Sequence, residues 1–353
     1  LIASLVLARA GVPVTLLTGA ASPQHNHVHT ITEDTLRAIG LLVGTPLTGC
    51  GDHPAWQVTG HQLVRAVDRP VLDAKRLTAQ LRRLLSGRGQ APVTVLACGT
   101  AKSLTDKALG WLADADRTSA DLCIDATGGS RLILKARERR LDLLETGGHS
   151  VYSSWQGTAA RAHPPITLCE TLDSGSTALM AIDGHQVTMT WQSDRLVSED
   201  ERAAWLSAMV AIAPAELKTT LLSTAFGSHR LAHRAPMARR AAIEDLRQQT
   251  GAVLLPIGDA LLQTAPRMGK GFAQLAGQCG QLRAHCAQPT PDWNRLSQTL
   301  AKGADAAFLI AALMGAAIDA RALLSPSDLS AGGRGSHLRR EDRSIPHTSG
   351  VST

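Results

Sequence analysis

Leu1-Ile2-Ala3-Ser4-Leu5-Val6-Leu7-Ala8-Arg9-Ala10, followed by Gly11 and then Val12-Pro13-Val14-Thr15-Leu16-Leu17, carries the strongest architectural signal in the chain. The first ten residues are small or apolar with one charge and read as an amphipathic helix. Gly11 ends it, and the apolar run behind it reads as a short buried strand closed by Thr18-Gly19. A helix passed through one glycine into such a strand is the second half of a βαβ unit. The strand before it, and the glycine loop that would open the helix, are expected upstream of Leu1, so the chain reads as N-terminally truncated.

Working outward, residues 33–39 read as a short helix ended by Gly40, and residues 56–58 and 62–67 alternate like strands. Residues 73–85 place Leu77, Leu81, Leu84 and Leu85 at helical spacing, with Arg and Lys on the other face. Residues 92–96 and 122–125 are strands, the second running into Ala126-Thr127-Gly128-Gly129. Between 151 and 191 strand-like runs alternate with turns such as Asp183-Gly184, which suggests an antiparallel sheet. Helices follow at 199–212 and 215–222, then a buried strand at 252–257 ending in Gly258-Asp259, then helices at 271–286 and 292–323. The expected fold is α/β, a doubly wound nucleotide-binding domain built from distant segments and interleaved with an antiparallel-sheet domain. The expected boundaries are 1–150 with 240–290 for the first domain and 151–239 for the second. A C-terminal helical segment at 291–324 and a disordered Ser/Gly/Arg/His tail at 325–353 complete the chain.

Composition narrows the function classes. In 353 residues, 44% are apolar, enough for substantial cores. The net charge of +6 is scattered over pairs such as Arg82-Arg83 and Arg239-Arg240, and only 3% of residues are aromatic, so nucleic-acid binding is a weak reading. The most apolar run, around 304–317, carries Asp305 and reads as a packed helix, so no membrane span is expected. Six dispersed cysteines without a C-x-x-C suggest reduced thiols in a cytoplasmic protein.

The chemistry-bearing segments lie where the strands end. Gly258-Asp259-Ala260 puts a carboxylate at the carboxyl edge of a buried strand, where ligands sit in open α/β sheets. Pro266 stiffens the next turn, and Gly269-Lys270-Gly271 opens a helix whose N-terminus favours electron-rich groups. Read by itself, this segment is equally a structural Gly-Asp turn before a helix. Asp125-Ala126-Thr127-Gly128 is a strand end passing into a small-residue turn, open to adenosine or pyrophosphate or simply a connection. Three imidazoles alternate in Pro23-Gln24-His25-Asn26-His27-Val28-His29, without the cysteines or carboxylates of a metal site.

In their order along the chain, the helix–strand unit at 1–17, Asp125-Ala126-Thr127-Gly128, and Gly258-Asp259-Ala260 with Pro266, Gly269 and Gly271 resemble the FAD-dependent class A monooxygenases of the aromatic-hydroxylase type. That group shares its fold with flavin-dependent halogenases. The resemblance spans residues 1–290 and implies a Rossmann-like FAD-binding domain of glutathione-reductase type. It assigns FAD contacts to Asp125, Thr127, Gly128, Gly258, Asp259, Pro266, Gly269, Lys270 and Gly271. Arg69 resembles the family's arginine before a leucine-bearing helix beside the flavin, and His27 and His29 a histidine loop close to the isoalloxazine. Thr18 stands where the family usually has the acidic residue that takes the adenosine ribose.

The implied activity is hydroxylation or epoxidation through a flavin C4a-hydroperoxide, with no protein nucleophile required. An aromatic or polyketide-like small molecule, or a tryptophan within a peptide, is the implied substrate. Reduced nicotinamide, NAD(P)H, is the implied electron donor, directly or through a flavin reductase. Trp155 and Trp191 are candidates to line the substrate pocket, with core packing as the other reading. A flavin-dependent halogenase is the alternative, although the Trp-x-Trp-x-Ile-Pro run of that branch is missing and Trp155-Gln156-Gly157 does not match it. A non-catalytic flavoprotein is the third reading.

Overall fold

The computed structural model describes residues 1–19, 28–47, 53–59, 62–86, 92–113, 121–137, 143–147, 149–172, 176–241, 253–265 and 270–324. The elements begin α1 (Ile2–Arg9), β1 (Val14–Thr18), β2 (Val28–Thr30), α2 (Glu33–Val43), β3 (His53–Thr59), β4 (Gln62–Asp73), α3 (Ala74–Leu85), β5 (Val93–Ala97) and α4 (Ala101–Ala113). They continue with β6 (Leu122–Asp125), α5 (Leu132–Arg137), β7 (Leu143–Glu145), β8 (His149–Thr171), β9 (Thr177–Ser193), α6 (Glu199–Ile212) and α7 (Ala215–Leu222). The last are β10 (Thr224–Pro236), β11 (Ala238–Ala241), β12 (Val253–Pro256), β13 (Leu262–Thr264), α8 (Gly271–Cys286) and α9 (Trp293–Leu324).

Two hydrophobic cores organise these elements. The first surrounds α1, whose residues Ile2 through Ala8 are all buried, an all-round burial that its Leu, Val, Ile and Ala content permits. It packs against α2, α3, α8 and β1. Two parallel strand pairs contribute to the same core. Val14 of β1 lies opposite Val93 of β5, and Val253 of β12 opposite Leu122 of β6. Parallel pairs covered by helices are the mark of α/β construction. The second core lies between a six-stranded sheet and the helices α6 and α7, and contains Trp155, Leu168, Met180, Ile182, Met189, Trp205, Met209 and Leu217. That sheet runs β10-β8-β3-β4-β2, with β9 also paired to β8. A small sheet, β13-β11-β7, follows the same chain segments that flank the parallel strands.

Several expectations change on contact with the structure. Helix α2 runs through Gly40 and stops at Gly44, whose φ of +74° makes the left-handed cap. Between 151 and 191 there are two long antiparallel strands in place of several short runs. Asp183-Gly184 lies inside β9, where the β8 register slips opposite His163. The sheet also takes β2, β3 and β4 from residues 28–73, ahead of the expected antiparallel block. Helix α9 has the expected length but is more apolar than Asp305 suggested. Its Trp293–Ala317 window has mean hydropathy 1.5, which by length and composition meets the requirement for crossing a membrane. It nevertheless contributes Leu296, Leu300, Ala301, Ala304 and Ala311 to the first core, and Asp305 pairs with Arg240 of β11.

Candidate functional site

Because β6 and β12 are parallel and adjacent, their carboxyl ends deliver two turns to the same edge. After β12, Gly258-Asp259-Ala260 forms a single 3-10 turn. Gly258 has φ +59°, a conformation that a side chain at this position would strain. Its N–H donates to Gln278 Oε1 of α8 at 2.6 Å, which fixes the turn against that helix. The Asp259 side chain is exposed and accepts no hydrogen bond from any described residue. Desolvation by the protein beneath it raises its pKa above the ordinary value, and the Arg131 guanidinium pulls the other way. An exposed carboxylate with its acceptor capacity free is suited to a ligand's hydroxyl groups.

The turn after β6 behaves differently from the expectation. Asp125 is fully buried and both of its carboxylate oxygens are engaged inside the protein. Oδ1 accepts from the Thr127 N–H at 3.0 Å and the Thr127 hydroxyl at 2.6 Å, and Oδ2 accepts from the Leu134 N–H at 3.0 Å. Thr127 Oγ1 in turn accepts from the Leu132 N–H at 2.8 Å. The pair therefore satisfies the N–H groups that open α5. What this turn offers a ligand is backbone at Gly128, whose φ is +67° and where a Cβ would meet nothing within 4 Å.

One residue that sequence reading missed joins the two turns. Arg131, at φ +50° and 0% exposed, donates from Nε to the Ala260 carbonyl at 3.1 Å. Its Nη1 donates to the Gly129 carbonyl at 3.0 Å and its Nη2 to the Arg239 carbonyl at 3.2 Å. Burial lowers its pKa from the ordinary arginine value.

Lys270 is exposed at the N-terminal boundary of α8, and Gly271 begins that helix with open space where a Cβ would stand. No side chain caps this end and its first turn holds no acid. Thr18 is half-buried at the end of β1, and its carbonyl accepts from the Cys98 N–H at 2.7 Å. Arg69 falls in β4 ahead of α3, and His29 in β2. His27, Pro266 and Gly269 lie outside the described residues. No group of three His, Cys, Asp or Glu side chains able to hold a metal occurs among the described residues.

Trp155 and Trp191 do not line an open pocket. Trp155 is 1% exposed, donates to Glu199 at 3.2 Å and stacks under the Arg202 guanidinium. Trp191 packs edge-on against Trp205. Both lie on the sheet face covered by α6. The opposite face of β8 and β9 carries Tyr152, Ser154, Thr188, Thr190 and Gln192, by the strand alternation and cross-strand register, with Thr188 and Thr190 themselves buried. Period-two alternation of polar and apolar residues was the signal available for this.

The fit to a flavin is carried by the described parts of this edge: the exposed Asp259 carboxylate, which accepts from no described residue, backbone open at Gly128 and Gly271, and a start of α8 without a side-chain cap. No family model matches the chain, and no curated protein matches it by sequence. Solved structures do resemble it. The peptidyl tryptophan dihydroxylase QhpG superposes with a TM-score of 0.53 at 16% identity, over 89% of this chain and 71% of that one. PqsL, "a probable FAD-dependent monooxygenase" of Pseudomonas aeruginosa, gives 0.55 at 13% identity over 90% and 92%. Xcc4156, a flavin-dependent halogenase from Xanthomonas campestris, gives 0.54 at 12% identity over 85% and 72%. The chain has the fold of the flavin-dependent monooxygenases and halogenases.

Proposed function

We propose that the protein is an FAD-dependent monooxygenase whose substrate carries an electron-rich aromatic ring, either as a small molecule or as a tryptophan in a peptide. The observation that carries this reading is the exposed Asp259 carboxylate, which accepts from no described residue, on its glycine turn at the carboxyl end of β12, in a fold shared with flavoenzymes. FAD would be held by Asp259 at its ribityl or ribose hydroxyls and by the start of α8. The backbone at Gly128 and the Thr18 hydroxyl would lie toward its adenosine half. When bound, FAD supplies oxygen activation. The chain's own contribution is to hold and orient it, and to present the polar face of β8 and β9 to the substrate. NAD(P)H is the proposed source of electrons, directly or through a reductase, and a soluble, cytoplasmic setting is proposed with it. QhpG's action on peptidyl tryptophan makes a peptide-borne ring a substrate worth testing first.

Full-length protein is expected to purify yellow and to release FAD on denaturation. With reductant, labelled oxygen and substrate, mass spectrometry should find one labelled oxygen atom in the product, independent of halide. A halogenated product would assign the protein to the halogenase branch, and colourless protein that takes up no FAD would remove the flavin reading.

A further inference from the structure

We propose that Arg131 is a positioning residue for the cofactor: a buried guanidinium that ties three carbonyls together and fixes the turn carrying Asp259. The inference rests on the flavin reading above and deepens it at the same site. Its evidence is geometric. The three acceptors belong to three segments far apart in sequence: Gly129 after β6, Arg239 in β11 and Ala260 after β12. A planar guanidinium can span them because its donors are splayed in one rigid fork, which an ammonium group lacks. The residue adopts a left-handed backbone at φ +50°, the one non-glycine residue to do so among the described residues. Strain of that kind persists where the surroundings demand it. Here the demand is met from both sides, since the Arg131 N–H donates to the Gly128 carbonyl at 3.0 Å and its own carbonyl accepts from Lys135 at 2.9 Å.

The arrangement also sets the electrostatics of the turn. Burying a guanidinium without an ionised partner in direct contact is costly, and hydrogen bonds to carbonyls offset part of that cost. Among the described residues, the charges that act on Arg131 besides Asp259 are Asp125 at the end of β6, Glu145 on β7 and Arg239 on β11. Helix α8, which packs on the turn, carries Lys270, Cys279, Arg283 and His285. Of these and Arg131, it is Arg131 whose charge acts on Asp259, opposing the desolvation that raises it. Arg131 therefore does two separable things: its fork places the Ala260 carbonyl and the turn, and its charge favours the ionised form of Asp259.

The two roles predict different variants. Arg131→Lys keeps the charge and loses the fork, and should weaken FAD binding about tenfold with the pH profile of affinity unmoved. Arg131→Met loses both, and should in addition shift the acid limb of FAD affinity to higher pH. Titration of full-length wild type, both variants, Asp259→Asn and the Arg131→Met/Asp259→Asn double variant with FAD, followed by flavin fluorescence, tests this. Far-UV circular dichroism checks the fold of each. The expected result is strong coupling in the double-variant cycle and no acid limb in any variant lacking the Asp259 carboxyl. Where Arg131→Met does not fold, Arg131→Lys with and without Asp259→Asn gives the fork's share of that coupling. Wild type that binds FAD, with additive losses and unshifted pH profiles, overturns the positioning role while leaving the flavin reading intact. Wild type that takes up no FAD overturns both.

Discussion

At the scale of single residues, Asp259 and Asp125 show how two carboxylates at neighbouring strand ends come to do different work. Asp125 is surrounded by N–H and hydroxyl donors from its own segment and is spent on folding. Asp259 accepts from no described residue, and its pKa is raised by desolvation. A raised carboxylate pKa stabilises the fold below the unfolded-state value, and that stability is lost as pH rises through the folded value. Ionised Asp259 is therefore a burden on the cofactor-free protein at neutral pH. Asp259→Asn is expected to hold or raise the apo Tm at pH 7 while weakening FAD binding roughly ten- to a hundredfold, from the loss of a charge-assisted acceptor. Calorimetry and FAD titration on the same preparation read both effects. Asp259 was legible in sequence because Gly-Asp at the end of an apolar run announces a turn with a polar tip. Arg131 was not, because its partners Arg239 and Ala260 lie 108 and 129 residues away and no periodicity marks them.

At the scale of elements, some helix limits were readable from a local signal, although α2, expected to end at Gly40, runs on to its cap at Gly44. Ser198 opens α6 as a capping box: its hydroxyl accepts from the Glu201 N–H at 3.2 Å while Glu201 returns to the Ser198 N–H at 2.9 Å. Arg195 and this box lower the Glu201 pKa from 4.5 to about 2. A lowered carboxylate pKa gives stability that is present above the unfolded value and lost as pH falls through the folded one. Ser198→Ala should lower stability by about 1 kcal/mol at pH 7. The deficit should shrink between pH 4.5 and 2, as Glu201 is protonated in both proteins. Urea unfolding at a series of pH values measures it. The element limits that were missed have other causes. α4 opens on Ala101-Lys102-Ser103 with weak patterning, and β8 runs past Pro164-Pro165 because β9 pairs with it on both sides of the irregularity. Long-range pairing overrode the local signals there.

At the scale of the molecule, the two cores divide the probes of folding. Trp155, Trp191 and Trp205 belong to the sheet core, with Trp56 packed on it, so most of the tryptophans report on that core, while Trp293 packs on the first core beside the proposed cofactor edge. Ligand binding stabilises what it touches, by about 2.7 kcal/mol at a hundredfold excess over Kd. FAD is thus expected to raise the thermal midpoint seen by far-UV circular dichroism more than the midpoint seen by tryptophan fluorescence. Equal shifts would mean that both cores melt as one unit. The mixed α/β character was foreseeable from the order of strand and helix patterns, but the recruitment of β2–β4 into the sheet was not, since edge pairing is decided between distant segments. Helix α9 adds a property of its own. One side of it locks into the first core, while Leu309, Ile310 and Leu313 stand 61%, 56% and 65% exposed on the other. Greasy side chains in a row on a folded surface set the colloidal behaviour of a protein as surely as its net charge does. Concentrating this one in high salt, which strengthens apolar contact, will drive it toward self-association well before any part of it unfolds.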